Sequence, residues 1–142
     1  MRRLRFPLVP KWLRYLATLG VAGFLLYYSV LAPAPVQPSS PDPLWDKKLH
    51  VIGYLGLGLA LAYATAHLRD AIWKRTAVVL VLAVGYGLLI EGLQGTQPGR
   101  YASLGDALAN VIGALLASVW FLVERRLRYV RPLEEEAVLT DH

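Results

Sequence analysis

Four apolar runs, each near the length needed to cross a bilayer, constrain this chain more than any other feature. They are YLATLGVAGFLLYYSVLA at residues 15–32, LHVIGYLGLGLALAYATAH at 49–67, TAVVLVLAVGYGLLIEGLQ at 76–94 and LGDALANVIGALLASVWFLV at 104–123. A hydrocarbon core of about 30 Å takes roughly 20 helical residues at ~1.5 Å rise each. Inside lipid the backbone must satisfy its own hydrogen bonds, so such runs predict helices. The expected fold class is all-α: a polytopic membrane protein with four transmembrane helices in an antiparallel bundle. Composition agrees. The chain is 56% hydrophobic and 18% charged, against about 45–50% apolar and about 25% charged for soluble domains.

The runs divide the chain into a basic N-terminus at 1–14, a four-helix membrane domain at 15–123 and a C-terminal tail at 124–142. The basic start resembles a signal sequence, but a signal core is typically about 7–15 residues and needs a small-residue cleavage site. The first run is longer and Pro33 interrupts Ala32-Pro33-Ala34, so the run is expected to stay as a span. Between the first two spans, PAPVQPSSPDPLWDKK has the Pro and Ser content of an irregular connector. The last ten residues, LEEEAVLTDH, read as an acidic tail.

Orientation follows from Lys and Arg, because basic loops stay on the cytoplasmic side. With four spans, one side holds Arg2, Arg3, Arg5, Lys11, Arg14, Arg69, Lys74, Arg75, Arg125, Arg126, Arg128 and Arg131, which is 12 of the 15. Lys47, Lys48 and Arg100 fall on the other. The expected location is the cell membrane, multi-pass, with both termini cytoplasmic. Retention and contact with anionic lipid account for the net charge of +5. No basic and aromatic stripe points to nucleic acid. The absence of cysteine excludes disulfides, thiolate metal sites and cysteine nucleophiles.

The polar residues within the runs gather at one level. Asp46, Lys47, His50 and Tyr54 open the second run, Glu91 and Gln94 close the third, and Asp106 and Asn110 open the fourth, with Arg100 in the loop between the last two. Asp46, His50 and Tyr54 are four apart, as are Asp106 and Asn110, and Glu91 and Gln94 are three apart; such neighbours share a helix face. Facing lipid they would be costly, at roughly 2.5–3.5 kcal/mol for Asp or Arg at a helix centre. They predict a shared polar pocket opening outward. Gly105, Ala109, Gly113 and Ala117 recur every fourth position in the fourth run, a ridge on which another helix can pack closely.

At these residues the sequence resembles a known family. DKKLHVIGYLGLG at 46–58 and EGLQGTQPGRYASLGDALANVIG at 91–113 are similar to the VanZ-like membrane proteins, whose pattern is D-K-x-x-H-x-x-x-Y, then E-x-x-Q, an Arg, and D-x-x-x-N-x-x-G. Asp46, Lys47, His50, Tyr54, Glu91, Gln94, Arg100, Asp106, Asn110 and Gly113 take the matching positions, over roughly residues 44–123. Ser103 stands where many members carry an acid. The resemblance implies a cell-envelope role, the founding member being associated with resistance to teicoplanin.

Three functional classes fit. The first is a binding protein whose ligand residues are Asp46, Lys47, His50, Tyr54, Glu91, Gln94, Arg100, Asp106 and Asn110. Its partner would be a membrane lipid, a lipid-linked envelope precursor or an amphiphilic antibiotic. The second is an intramembrane hydrolase or transferase, with His50 as base or metal ligand, Glu91 and Asp106 as its orienting carboxylates or co-ligands, and Arg100 stabilising an anion. The third is a small transporter module, against which stand the apolar inner halves of the last three runs. One histidine with a few carboxylates is a thin metal set, so no metal or cofactor is expected. The sequence leaves the oligomeric state open.

Overall fold

The computed structural model describes residues 4–33, 42–99 and 101–130, and the chain is mostly helical. A short strand, β1 (Leu4–Pro7), precedes α1 (Lys11–Leu26), which widens into a π-helical turn over Tyr27–Leu31. Then come α2 (Trp45–Ala64), a 3₁₀ turn (Ala66–Ala71), α3 (Ile72–Gln94), α4 (Leu104–Ser118), α5 (Trp120–Glu124) and β2 (Leu127–Val130). Among the described residues, three stretches are long and apolar enough to cross a membrane: Lys11–Leu31, Ala66–Gln94 and Leu104–Glu124. α2 is not one of them, because Asp46, Lys47, Lys48 and His50 occupy its first two turns.

The first three helices each begin four residues earlier than the apolar runs predict, at Lys11, Trp45 and Ile72. Hydropathy falls at the charged residues there, but the helix continues because their side chains find partners. Arg14 donates to the carbonyls of Tyr63 at 2.8 Å and Ala64 at 3.2 Å. Asp42 accepts from the backbone of Leu44 at 3.0 Å and from Lys48 Nζ at 2.5 Å, ordering the entry to α2. The Lys48 ammonium holds the Asp42 carboxyl below the usual carboxylate range. The connector is therefore helical from Trp45 onward; residues 34–41 lie outside the described part. α4 does begin at its predicted residue, since the Ser103 hydroxyl accepts from the backbone N–H of Asp106 at 3.3 Å and caps it.

The predicted ridge is the seam between α4 and α2. A Cβ at Gly113 would stand 2.9 Å from the backbone nitrogen of Leu55, and one at Gly58 would stand 2.5 Å from Ala117 Cβ. Only glycine lets these backbones approach so closely. The buried apolar centre, Tyr54, Leu57, Ala83 and Ala114 with Ala62, Val79 and Phe121, lies along α2, α3, α4 and α5.

The end opposite the polar openings holds contacts that the apolar runs do not predict. Residues 4–7 and 127–130 pair as parallel strands, Leu4 beside Leu127 and Pro7 beside Val130. Phe6 anchors the pair, meeting Trp120, Tyr63 and Tyr129 edge-on at 5.6, 5.9 and 6.0 Å. The acidic segment 133–142 lies outside the described residues. Just outside the apolar runs, this end also holds a buried ion pair. Arg75 is buried and grips Glu124 through two bonds, at 2.5 and 3.0 Å, while also reaching Thr65 Oγ1 at 3.0 Å and the Ala62 carbonyl. Tyr129 donates to the same carboxylate. Burial, followed by that carboxylate, pushes the Tyr129 phenol well above its ordinary pKa.

Candidate functional site

Three helix ends meet at one level. α2 supplies Asp46, Lys47, His50 and Tyr54 from its first turns, α3 supplies Glu91 from its last, and α4 supplies Asp106 and Asn110 from its first two. Glu91, Asp106 and Asn110 are 5%, 7% and 1% exposed, so none is presented to lipid. His50 Nδ1 lies 2.8 Å from Asn110 Oδ1 and 3.8 Å from Glu91 Oε1. Asn110 Oδ1 can only accept, so Nδ1 carries the ring proton. The other ring nitrogen, Nε2, faces Asp46 Oδ1 at 3.9 Å. Lys47 pairs with Asp106 and reaches Asp46 Oδ2 at 3.4 Å.

Ser103, where the sequence departs from the family pattern, has a structural part here. Its backbone N–H donates to Glu91 Oε2 at 3.2 Å while its hydroxyl caps α4. Gly87 is another residue that sequence reasoning missed. A Cβ there would stand 3.0 Å from the Tyr54 ring and 3.1 Å from the Asn110 amide, so its absence lets both sit against α3. The signal was present in the spacing, because Gly87 lies one turn before Glu91. Three buried polar atoms at this level, Tyr54 Oη, Glu91 Oε1 and Asn110 Nδ2, have no hydrogen-bond partner among the described residues.

Not every predicted residue joins. Gln94 turns aside and donates to the carbonyl of Ser29, in the π-helical turn, at 2.8 Å. Three residues on from Glu91 it sits about 60° further round the helix, enough to face the first helix instead of α4. Arg100 lies outside the described residues.

Beside the network is a cavity of about 590 Å³ between the second half of α1 and the first turns of α2. Phe24, Leu25, Tyr27, Tyr28, Leu49 and Ile52 give it apolar and aromatic walls, and Asp46, His50, Tyr54 and Gln94 give it a polar edge. Lys47, Glu91, Asp106 and Asn110 are not in its lining, so the eight predicted ligand residues that the structure describes split into a polar network and a cavity wall. His50 and Asp46 belong to both. An elongated apolar group fits such walls while a polar head meets the imidazole and amide. The residues that could share a cation are Asp46, His50 and Asp106.

Comparison with curated proteins and with solved structures gives no match. Comparison with protein families gives VanZ/LLP1, matched over residues 13–125 and so including α1, which lies outside the motif blocks. With that span covering most of its length, and with helices long and apolar enough to cross a bilayer, the chain belongs to the VanZ/LLP1 family of membrane proteins.

Proposed function

We propose that the protein is a four-span antiparallel bundle with both termini in the cytoplasm. Its outer cavity would hold an amphiphile: an envelope lipid, a lipid-linked cell-wall intermediate or an amphiphilic antibiotic of the glycopeptide kind. The observation that carries this reading is the cavity itself, whose hydrocarbon-like walls end at His50, Asp46 and Gln94. An acyl or prenyl chain lies against Phe24, Tyr28 and Ile52, and hydroxyl or amide groups of the head bond to the polar edge. Glu91 and Asn110 act from behind, fixing the imidazole through contacts at 3.8 and 2.8 Å. α2 carries the polar edge, which explains why it is the least apolar of the four proposed spans.

A photo-crosslinking experiment tests the proposal. In vesicles, a polyprenyl-linked sugar bearing a diazirine is expected to label residues 24–28 and 49–53, and an excess of unlabelled lipid should compete. Ile52→Trp, which fills the cavity, should reduce labelling at least tenfold without loss of helicity. Uniform labelling of all lipid-facing helices, with no competition, rejects the reading. The proximity of His50 to Glu91 favours one second reading, an intramembrane hydrolase or transferase with His50 as base and Glu91 and Asp106 as its carboxylates. Release of the sugar by the parent protein and not by Glu91→Gln would select it.

A further inference from the structure

We infer that Asp46, His50 and Asp106 form a binding site for a first-row transition-metal dication such as zinc, guarded by Lys47. One imidazole nitrogen and two carboxylate oxygens from α2 and α4 lie within 4.8 Å of one another. Ligands at about 2.0–2.2 Å from one tetrahedral zinc stand roughly 3.3–3.6 Å apart, so side-chain rotation alone closes the set. Three protein ligands leave a fourth position open, and Asp46 and His50 direct it to the cavity they line.

Two independent observations point to a cation. The imidazole is already arranged as a ligand: Asn110 Oδ1 fixes the proton on Nδ1 and leaves the Nε2 lone pair towards Asp46. Metal-bound histidines are held in this way by an acceptor on the other nitrogen. Behind the ring, Glu91 Oε1 is buried, has no hydrogen-bond partner among the described residues and lies 3.8 Å from Nδ1. Among the described residues, Asp46, Glu91 and Asp106 set three carboxylates against one nearby ammonium, Lys47. A dication on Nε2 balances that excess and gives the Glu91 carboxylate an acidified Nδ1–H to accept from. Lys47, partly exposed and on a flexible stem, occupies Asp106 until metal displaces it. Imidazole among the donors favours zinc, cobalt or nickel over magnesium and calcium, which take oxygen sets.

The test uses full-length protein in nanodiscs, freed of any oligohistidine tag, titrated calorimetrically with zinc chloride and spectroscopically with cobalt chloride. One equivalent should bind saturably, with the visible absorption of tetrahedral cobalt and no response to magnesium. His50→Gln and Asp46→Asn should each weaken zinc binding a hundredfold or more, and Asn110→Ala about tenfold or more through loss of the orienting bond. Lys47→Met removes the competing ammonium and should tighten binding at least tenfold. Absence of saturable binding by the parent overturns the inference, as does undiminished binding in His50→Gln or Asp46→Asn. If a ligand variant loses its helicity, Lys47→Met decides alone: equal or weaker binding counts against the site. None of these readings requires the amphiphile, so the metal and lipid proposals fail separately.

Discussion

Arg75 and Glu124 form a pair whose members are both shut away from solvent. Breaking a buried pair by deleting one partner leaves a charge without compensation, at a cost of roughly 3–5 kcal/mol. Arg75→Ala should therefore lower unfolding free energy in mixed micelles by about that amount. The double variant Arg75→Met with Glu124→Leu should recover most of the loss, because two apolar side chains need no partner. A double variant as unstable as the single one would show that the pair is not the source. In the sequence Arg75 is legible as a retention signal at a span end, which is all its neighbours reveal. Its partner stands 49 residues away, and only the fold brings the two together. At the other end, Asp46, His50, Glu91, Asp106 and Asn110 were legible as a cluster because helical spacing and alternating chain direction sent them to one level. Gln94 lies at the same level but turns to Ser29 and the cavity wall, because a three-residue step only approximates one face.

At the scale of elements, the pairing of α2 with α4 is the tightest in the bundle. Gly113→Leu would push a side chain into the backbone of Leu55 and Val51, and overpacking of this kind costs about 1–3 kcal/mol or more. It should lower the midpoint of thermal helix loss by several degrees. Gly85→Ala is the contrast, because nothing lies within 4 Å of the added carbon. Helix propensity alone favours alanine by up to about 1 kcal/mol, so that midpoint should hold or rise. Equal effects at the two positions would show that the ridge does not set the packing. The four-residue recurrence of small side chains was visible beforehand, but its partner helix was not, since any apolar helix can face such a ridge. The helix starts were misjudged for one reason: hydropathy registers charge and is blind to pairing.

For the whole molecule, the distribution of Lys and Arg predicts which end faces the cytoplasm, and the absence of native cysteine makes the test simple. A single cysteine replacing Gln97 should react with a membrane-impermeant maleimide on intact cells, whereas one replacing Arg128 should react only after permeabilisation. The reverse pattern would invert the proposed topology and place the cavity on the inner side. The strand pairing of residues 4–7 with 127–130 adds something the apolar runs alone did not contain: the segment before α1 and the segment after α5 are fastened together at one end of the bundle. α1 needs such fastening, because only 6% of its membrane-length window is buried, against 28% and 39% for the stretches containing α3 and α4. The cavity thus has one firmly packed side and one side formed by a mostly exposed helix, held by Arg14 and Thr18 near its start, by the Tyr86 hydroxyl on the Ala22 carbonyl at its middle and by Gln94 at its far end. On the proposed reading such a chamber is a berth open to the side: a hydrocarbon tail would reach it by sliding within the plane of the bilayer, without passing through water.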